Sequence, residues 1–309
     1  MRSAFLCTPA YGDTIIAAHE QPNLGVGPVP GAPVVNDRTL APEEYEDFRR
    51  FLEQSSGIVL GDNKHYLVTS RLVGLLEEFR CRSISELLRE LKRGAGGLRE
   101  RVVEAMTTNE TYWFRDGFPF ELFKTHVLKE LAARATGPLR VWSAACSTGQ
   151  EPYSLSMAVQ EYQQSNPGNL RVPVEIVATD LAPSVLREAK RAQYDNLSMS
   201  RGLSPERKQR FFRAEGDRWE VRPEVRSRVS FRELNLQQSY ALLGRFDVVF
   251  CRNVLIYFSS DLKRDIIDRI SKSLNPGGYL FLGASESMSG YSEAFEMVRA
   301  SPGVLYRRK

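Results

Sequence analysis

Apolar residues between positions 38 and 106 recur three or four residues apart, which is the spacing of helices that bury one face. Pro42 can open the first helix, because the N–H that proline lacks has no partner in a first turn. Two apolar stripes follow, separated by residues 57–61: Tyr45, Phe48, Phe51 and Leu52, and then Val68, Leu72, Leu75 and Phe79. Two shorter helices are predicted near residues 83–91 and 98–106. The pattern therefore predicts a small all-helical N-terminal domain over residues 38–106.

The period of the pattern changes after Gly137-Pro138. A helix is predicted from residue 118 to about 134, with Asp116 as its cap, and apolar, β-branched segments then alternate with helical ones. The predicted strands are residues 139–145, 174–180, 245–253 and 278–284, and the predicted crossover helices are residues 151–164, 183–193 and 261–274. Apolar strands joined by helices predict a doubly wound α/β fold with a mostly parallel sheet in a domain spanning residues 107–309.

Two stretches do not follow this alternation. Residues from about 203 to 230 hold a helix and a hairpin-like segment, RWEVRPEVRSRVSF, which we interpret as a small inserted β-subdomain. Residues 1–37 are rich in Gly and Pro and show neither period, which is typical of a disordered extension.

Composition limits the class of protein. A formal net charge of +4 over 309 residues is too small to indicate nucleic-acid binding by charge alone. The four cysteines, at positions 7, 81, 146 and 251, form no C-x-x-C pair, so neither a zinc site nor a disulfide framework is predicted and no metal is expected. No apolar run is long enough for a secretory leader or a membrane span. A cytoplasmic location without membrane insertion is therefore expected.

Candidate chemistry follows the predicted strands, because ligands of open α/β sheets bind beyond the carboxyl ends of the strands. The turn CSTGQEPYS after the first strand contains Glu151, and the second strand ends in Asp180, where nucleotide-binding folds place an acid for ribose hydroxyls. Taken singly, an ordinary strand-to-helix turn and a helix cap before Pro183 explain these two acids equally. The chain lacks G-x-G-x-x-G, so a nucleoside without phosphates fits better than a dinucleotide.

Longer motifs point to one family. LNPGGYLFLG at residues 274–283 resembles a turn of S-adenosylmethionine-dependent methyltransferases. Four further motifs are TTNETYWFR at residues 107–115, WSAACSTGQEPYS at 142–154, ATDLAPSVLREA at 178–189 and FDVVFCRNVLIYF at 246–258. With these motifs the chain closely resembles the bacterial chemotaxis receptor methyltransferases, the CheR family, from about Tyr45 to the C-terminus. The resemblance implies S-adenosylmethionine as cofactor, S-adenosylhomocysteine as product, and methyl esterification of glutamates on chemoreceptor signalling helices in chemotactic adaptation.

The resemblance also assigns site residues. The family's cofactor contacts fall on Asn109, Thr111, Arg115, Glu151, Asp180, Asn235, Leu236, Arg252 and Asn253. It implies that Asp180 holds the ribose hydroxyls and that Glu151 and Arg115 engage the methionine moiety. Arg115 and Tyr257 are expected near the reacting methyl group as catalytic residues. Purely structural interpretations of these residues stay open: a capping box in the TTNE segment, a surface salt bridge of Arg115, and simple packing of Tyr257.

The expected partners are the cytoplasmic helices of chemoreceptors, with no nucleic acid, and the protein is expected to be a monomer. Residues 64–101 hold nine basic and five acidic residues, which favours docking of acidic helices, although a solvated helix face explains the charges too. Arg71 and Arg89 are predicted to serve this docking, away from the nucleoside site. The alternative is a methyltransferase that acts on another protein or on nucleic acid. Against nucleic acid, CRNVLIY replaces the Asn/Asp-Pro-Pro-aromatic signature typical of enzymes that methylate base amino groups.

The inserted β-subdomain is not expected to bind a receptor tail peptide with high affinity. Some members of the family add such a peptide as an extra strand, which requires a free row of backbone N–H and C=O groups. The connection across residues 212–221 is short, and Pro223 is expected to remove a donor from the neighbouring strand.

Overall fold

The computed structural model describes residues 40–309, and both the extension predicted for residues 1–37 and Cys7 lie outside the described residues. The N-terminal helices are α1 (Pro42–Ser56), α2 (His65–Glu78), α3 (Ile84–Arg93) and α4 (Leu98–Met106). Pro42 does start α1, and Gly57 ends it with a left-handed φ of 78°. The inward faces of the helices form one core, in which Tyr45, Phe48 and Leu72 are buried. The predicted all-helical domain is confirmed.

The next helical region begins differently from the prediction. Helices α5 (Phe118–Leu122) and α6 (Leu128–Arg134) are joined by a π-helical turn, Phe123–Val127. Asp116 does not cap α5, since Gly117 is the N-cap and the Asp116 carboxylate instead accepts a hydrogen bond from Arg252. A buried guanidinium needs anionic partners, and this requirement outweighs the local capping preference.

Strands and helices alternate through the rest of the chain. The strands are β1 (Leu139–Ala144), β2 (Val174–Asp180), β3 (Gln193–Tyr194), β4 (Phe212–Glu215), β5 (Arg218–Val221), β6 (Val229–Glu233), β7 (Phe246–Cys251), β8 (Leu274–Leu282), β9 (Phe295–Ala300) and β10 (Gly303–Arg308). The helices are α7 (Gln150–Ser165), α8 (Pro183–Arg191), α9 (Asn196–Met199), α10 (Pro205–Phe211), α11 (Pro223–Arg226) and α12 (Ser260–Ser273), with 3-10 turns at Ala241–Leu243 and Leu255–Tyr257.

The main sheet has the strand order β6-β2-β1-β7-β8-β10-β9. The first five strands of this order run parallel, and β10 is antiparallel to both β8 and β9. The predicted doubly wound, mostly parallel sheet is therefore confirmed. The chain order reverses between β1 and β7, and at such a point the helices of the two halves diverge and leave a crevice beyond the strand ends.

Both faces of the sheet are buried, as a parallel sheet covered by helices requires. Along β1, Val141 packs into the core on one face and Trp142 into the core on the other. Val248 and Val249 of β7 divide between the same two cores. The alternation of side chains along a strand thus explains why these segments are apolar at consecutive positions.

The inserted β-subdomain is a three-stranded antiparallel sheet of order β3-β5-β4, and it begins earlier than predicted. The segment VSF at residues 229–231 is not part of a hairpin, because it belongs to β6 and pairs with β2 in the main sheet. Pro223 lies outside the small sheet, in the first turn of α11, where its missing N–H costs no ladder bond. The Pro223 argument against peptide binding is therefore wrong, and weak binding of a receptor tail stays a prediction.

The last two strands, β9 at the edge of the sheet and β10 beside it, were not predicted from the sequence. Glu296, Met297 and Arg299 of β9 are exposed, so this segment lacks the continuous apolar character of the central strands. None of the helices between residues 40 and 309 combines the length and apolar character that a membrane span requires.

Candidate functional site

A cavity of about 270 Å³ lies beyond the carboxyl ends of β1, β2 and β7, where the strand order reverses. The ten residues that the sequence predicted for the site all line it: Asn109, Thr111, Arg115, Glu151, Asp180, Asn235, Leu236, Arg252, Asn253 and Tyr257. They come from positions up to 148 residues apart, as Asn109 and Tyr257 show. The fold therefore gathers every predicted site residue around one space.

Asp180, at the end of β2, organises the turn that follows β1. Its Oδ2 accepts the backbone N–H of Ser147 at 2.8 Å, and its Oδ1 accepts that of Ala182 at 3.0 Å. Ser147 adopts a left-handed φ of 50° and its hydroxyl donates to the carbonyl of Asn109 at 2.8 Å. Burial raises the pKa of Asp180, and the backbone N–H groups oppose this rise. Each carboxylate oxygen still has acceptor capacity for a ligand.

Glu151 lies in the first turn of α7 and forms part of a buried charge network. Its Oε1 accepts from the Ser143 hydroxyl at 2.8 Å, and its Oε2 accepts from Arg252 Nη1 at 3.0 Å. Arg252 Nη2 donates to the carboxylate of Asp116 at 2.7 Å and to the carbonyl of Arg115 at 2.9 Å. Burial raises the pKa of Glu151, whereas Arg252 and Ser143 favour its ionised form.

Arg252 therefore links several segments of the protein through its hydrogen bonds. Its side chain is 1% exposed, and both Nη atoms are engaged by groups of the protein. Only its buried Nε has no hydrogen-bond partner among the described residues. These hydrogen bonds connect the end of β7 to the start of α7 and to the segment that carries Arg115.

The segment between the two domains is held by Arg71 of α2. Arg71 Nη1 donates to the carbonyl of Thr107 at 2.9 Å, and its Nη2 donates to the hydroxyl of Thr108 at 2.9 Å. Arg71 also lines the cavity, so the prediction that it lies away from the nucleoside site is wrong. The capping box is not formed either, because Thr107 ends α4 and donates its hydroxyl to the carbonyl of Glu104 at 2.7 Å.

Arg115 and Tyr257 both reach the cavity with polar groups available. Arg115 Nη1 donates to the carbonyl of Glu110 at 2.9 Å, and no ion pair of Arg115 is formed with residues 40–309. The surface-salt-bridge interpretation of Arg115 is therefore wrong. Tyr257 is half-buried, and its hydroxyl makes no hydrogen bond to the described part of the chain. Its carbonyl accepts the N–H of Val59 at 2.9 Å, which joins it to the helical domain.

Asn235 and Leu236 lie where the main sheet meets α1. Asn235 Nδ2 donates to the carbonyl of Ser55 at 2.8 Å, and its Oδ1 accepts the N–H of Gln237 at 2.9 Å. Leu236 is buried in the apolar core on that face of the sheet. The side chain of Asn235 therefore braces the domain contact as well as lining the cavity.

Sequence reasoning missed the contribution of the helical domain to the site. The cavity is also lined by residues of the α1–α2 loop and α2, namely Ile58, Val59, Leu60, Gly61, Lys64, Leu67 and Arg71. No local pattern marks these residues, because they meet the strand ends only through tertiary contacts. The role of Asp116 was missed for the same reason, because its partner Arg252 lies 136 residues away in the sequence.

Two family models match the chain. The family model described as CheR methyltransferase, SAM binding domain, matches residues 109–304, and the model described as CheR methyltransferase, all-alpha domain, matches residues 43–107.

Three curated relatives share most of the chain. Chemotaxis protein methyltransferase 1 of Pseudomonas aeruginosa strain PAO1 is 58% identical over 273 residues, which cover 88% of this chain and 100% of the relative. Chemotaxis protein methyltransferase Cher2 of Pseudomonas putida strain KT2440 is 54% identical over 86% of this chain and 98% of the relative. The chemotaxis protein methyltransferase of Vibrio anguillarum is 53% identical over 88% of this chain and 98% of the relative. This chain belongs to the CheR methyltransferase family.

Proposed function

We propose that this S-adenosylmethionine-dependent methyltransferase esterifies glutamate side chains on the cytoplasmic helices of chemoreceptors and so sets adaptation in chemotaxis. The observation that carries the proposal is the gathering of all ten predicted site residues around one cavity. The names of the curated relatives support the chemotactic role. The division into domains at residues 38–106 and 107–309 is part of the proposal, and the matched ranges support it.

The residues of the cavity fit an amino-acid nucleoside. Asp180 offers acceptors for ribose hydroxyls at the end of β2, and Glu151 offers carboxylate acceptors for an amino group. Arg115 offers N–H donors for a carboxylate, and Leu236 and Val254 add apolar surface for a flat ring. The buried, unpartnered Nε of Arg252 is a further donor beside this set. These groups would hold S-adenosylmethionine, which supplies a methyl group on a positively charged sulfur atom.

The protein needs no strong general base to deprotonate the glutamate that accepts the methyl group. A glutamate carboxylate has a reference pKa near 4.3 and is already ionised at neutral pH. The residues that line the cavity include no histidine, which is consistent with this requirement. Catalysis then depends on orientation and on exclusion of water. Arg115 and Tyr257 would orient the incoming carboxylate through N–H and O–H donors.

The loop at residues 57–61 and the segment at residues 107–111 close two sides of the cavity, so the helical domain would exclude water and approach the substrate. A cytoplasmic location, a monomeric state and the absence of nucleic-acid substrates are further parts of the proposal. The cytoplasmic location follows from the proposed substrate, because the methylated helices of chemoreceptors lie in the cytoplasm.

Incubation with methyl-labelled S-adenosylmethionine and bacterial membranes that contain unmethylated chemoreceptors tests the proposal. We expect label on receptor protein that mild alkali releases, since methyl esters are base-labile. The variant Asp180→Ala should label the receptors much more slowly, and the exposed control Asp217→Ala should not. Label that resists alkali, or that appears on nucleic acid or on a different protein, would support the alternative methyltransferase and contradict the proposal.

A further inference from the structure

The carboxylate of Glu286 joins two chain segments at the ends of neighbouring strands. Its Oε2 accepts the backbone N–H of Gly283 at 2.7 Å and that of Asn253 at 2.8 Å. Its Oε1 accepts the N–H of Val254 at 3.1 Å and that of Ile256 at 3.3 Å. Glu286 is half-buried and forms no ion pair within residues 40–309. Backbone N–H groups therefore satisfy this charge, and hydrogen bonds to a carboxylate are stronger than neutral ones.

The loop after β7 needs such an acceptor. Asn253 has a left-handed φ of 57°, and the 3-10 turn Leu255–Tyr257 follows it. The first N–H groups of a helical turn have no partner inside the turn. Successive N–H groups that point to one side form a concave anion site. In this protein the chain's own Glu286 fills that site.

Gly283 is a second, independent feature of the same contact. A Cβ atom at residue 283 would lie 2.7 Å from Glu286 Oε2, 2.6 Å from Asn253 Nδ2 and 2.9 Å from the Asn253 backbone nitrogen. Contacts under 3.0 Å are essentially never made by real Cβ atoms. The close approach of the two segments therefore depends on glycine at this position as well as on the carboxylate.

The loop that Glu286 holds forms one wall of the cavity. Asn253, Val254 and Tyr257 line the cavity, whereas Glu286 does not. On its other side the loop is joined to the helical domain, since the carbonyl of Tyr257 accepts the N–H of Val59 at 2.9 Å. Glu286 thus fixes the loop from the sheet side, without reaching the space where substrates would bind.

We propose that Glu286 is a positioning residue for methyl transfer, which holds Asn253 and Tyr257 in place through the backbone of their loop. This inference rests on the proposed function and adds to it a residue outside the cavity. Glu286→Gln keeps the side-chain size but replaces one acceptor oxygen with a donor, so two of the four N–H groups lose their partner. Gly283→Ala separates the same two segments while leaving the carboxylate in the sequence.

Hydrogen–deuterium exchange of the full-length protein tests the structural half of the inference. In Glu286→Gln and in Gly283→Ala we expect amides of residues 253–256 to exchange at least roughly 10-fold faster, with the central strands unchanged. The matched control is Glu293→Gln, which removes an exposed carboxylate seven residues away. Unchanged exchange at residues 253–256 in both variants would overturn the inference. This measurement needs no substrate, so it stands even if receptor methylation is not observed.

Kinetic measurements test the catalytic part of the inference. We expect Glu286→Gln to lower kcat by about 10- to 100-fold because Tyr257 is displaced. The affinity for S-adenosylhomocysteine should fall less, by up to about 5-fold, because Asn253 and Val254 form only part of the cofactor site. Glu286→Asp keeps the charge and should recover part of the lost rate, whereas a merely structural role would lower kcat, affinity and melting temperature together. An unchanged kcat in Glu286→Gln, or an equal loss of affinity and rate, would overturn the inference.

Discussion

At the scale of one residue, the side chain of Asp180 both stabilises a turn and lines the proposed cofactor site. Its two oxygens accept backbone N–H groups of Ser147 and Ala182, which fixes the turn beyond β1. The same carboxylate lines the cavity, where ribose hydroxyls would need acceptors. The helix-cap interpretation of this acid is wrong, since Ala182 is the N-cap of α8 and the Asp180 carboxylate accepts the N–H of Ala182 itself.

Replacement of Asp180 should affect binding and stability together. We expect Asp180→Ala to weaken S-adenosylhomocysteine binding by roughly 10- to 100-fold, because a charge-assisted hydrogen bond contributes about 1.5 to 3 kcal/mol. The free energy of unfolding should fall by about 1 to 3 kcal/mol, since the N–H of Ser147 loses its acceptor. Calorimetric titration and urea unfolding measure the two effects, with Asp217→Ala in the exposed hairpin turn as control. An unchanged affinity would remove Asp180 from the cofactor site.

Arg252 leads to a prediction about pH. Arg252→Met leaves the largely buried carboxylate of Glu151 and the partly exposed carboxylate of Asp116 without their counter-charge. The loss should destabilise the protein by about 3 kcal/mol at neutral pH, the lower end of the range for a fully buried pair. Burial raises the pKa of Glu151, and loss of Arg252 raises it further. A raised pKa in the folded state means that stability is present at low pH and is lost as the pH rises through that pKa.

The destabilisation by Arg252→Met should therefore be larger at pH 8 than at pH 5, because uptake of a proton by Glu151 in the folded variant becomes more favourable as the pH falls. Urea unfolding at several pH values measures the difference. Arg264→Met, which breaks an exposed pair with Asp261, should show little destabilisation at either pH. A pH-independent difference between wild type and Arg252→Met would contradict the assigned role of Glu151.

At the scale of elements, the inserted β-subdomain packs directly on the segment that carries Arg115. Gly202, between α9 and α10, has a φ of 76°, and a Cβ atom there would lie 1.8 Å from the carbonyl oxygen of Trp113. The guanidinium of nearby Arg201 lies 4.7 Å from the ring centroid of Tyr112, on the same segment. The subdomain and the segment that carries Arg115 are thus packed as one unit.

Gly202→Ala should disrupt this packing. Left-handed backbone alone costs an alanine about 1 to 2 kcal/mol, and Gly168, with a φ of 77° and open space around it, provides the matched control for that cost. We expect Gly202→Ala to lose at least about 2 kcal/mol more than Gly168→Ala, and to lower the rate of methyl transfer. Thermal and urea unfolding of both variants check this. Equal losses would mean that the loop can move away from Trp113 at no cost.

At the scale of the whole molecule, the helical domain lines one side of the cavity, and its basic segment at residues 64–101 is expected to meet an acidic substrate. Arg71 is unsuitable as a docking residue because it holds the segment between the domains. Arg82 and Arg89 are exposed and form no ion pairs with the described residues, so their charges are available to an acidic partner.

Charge reversal at Arg82 and Arg89 together should raise KM for receptor membranes by roughly 3- to 10-fold at low salt, without changing the affinity for S-adenosylhomocysteine. The effect should shrink as salt rises, because counter-ions screen exposed charges. Arg264→Glu, an exposed reversal on α12, is the control. Wild-type activity that does not respond to ionic strength would contradict electrostatic docking.

The sequence by itself determined the helices of the N-terminal domain, the central strands and the chemistry at the ends of those strands. The helical stripes, the apolar strands and the acids at residues 151 and 180 are local features, because periodicity and turn chemistry act over a few residues. The longer motifs indicated the family and, through it, the cofactor and ten of the residues that line the cavity.

The tertiary structure alone decided which distant groups meet. Four contacts join segments that are tens of residues or more apart: the pairing of β6 with β2, the ion pair of Arg252 with Asp116, the hydrogen bonds of Arg71 to residues 107 and 108, and three of the four N–H groups bound by Glu286. Parallel strands that pair are separated by a long connection in the sequence. A buried charge is stabilised by whichever opposite charge or N–H dipole the packing brings close to it. Neither strand pairing nor charge pairing produces a local sequence pattern, because both depend on the free energy of burying distant groups against one another.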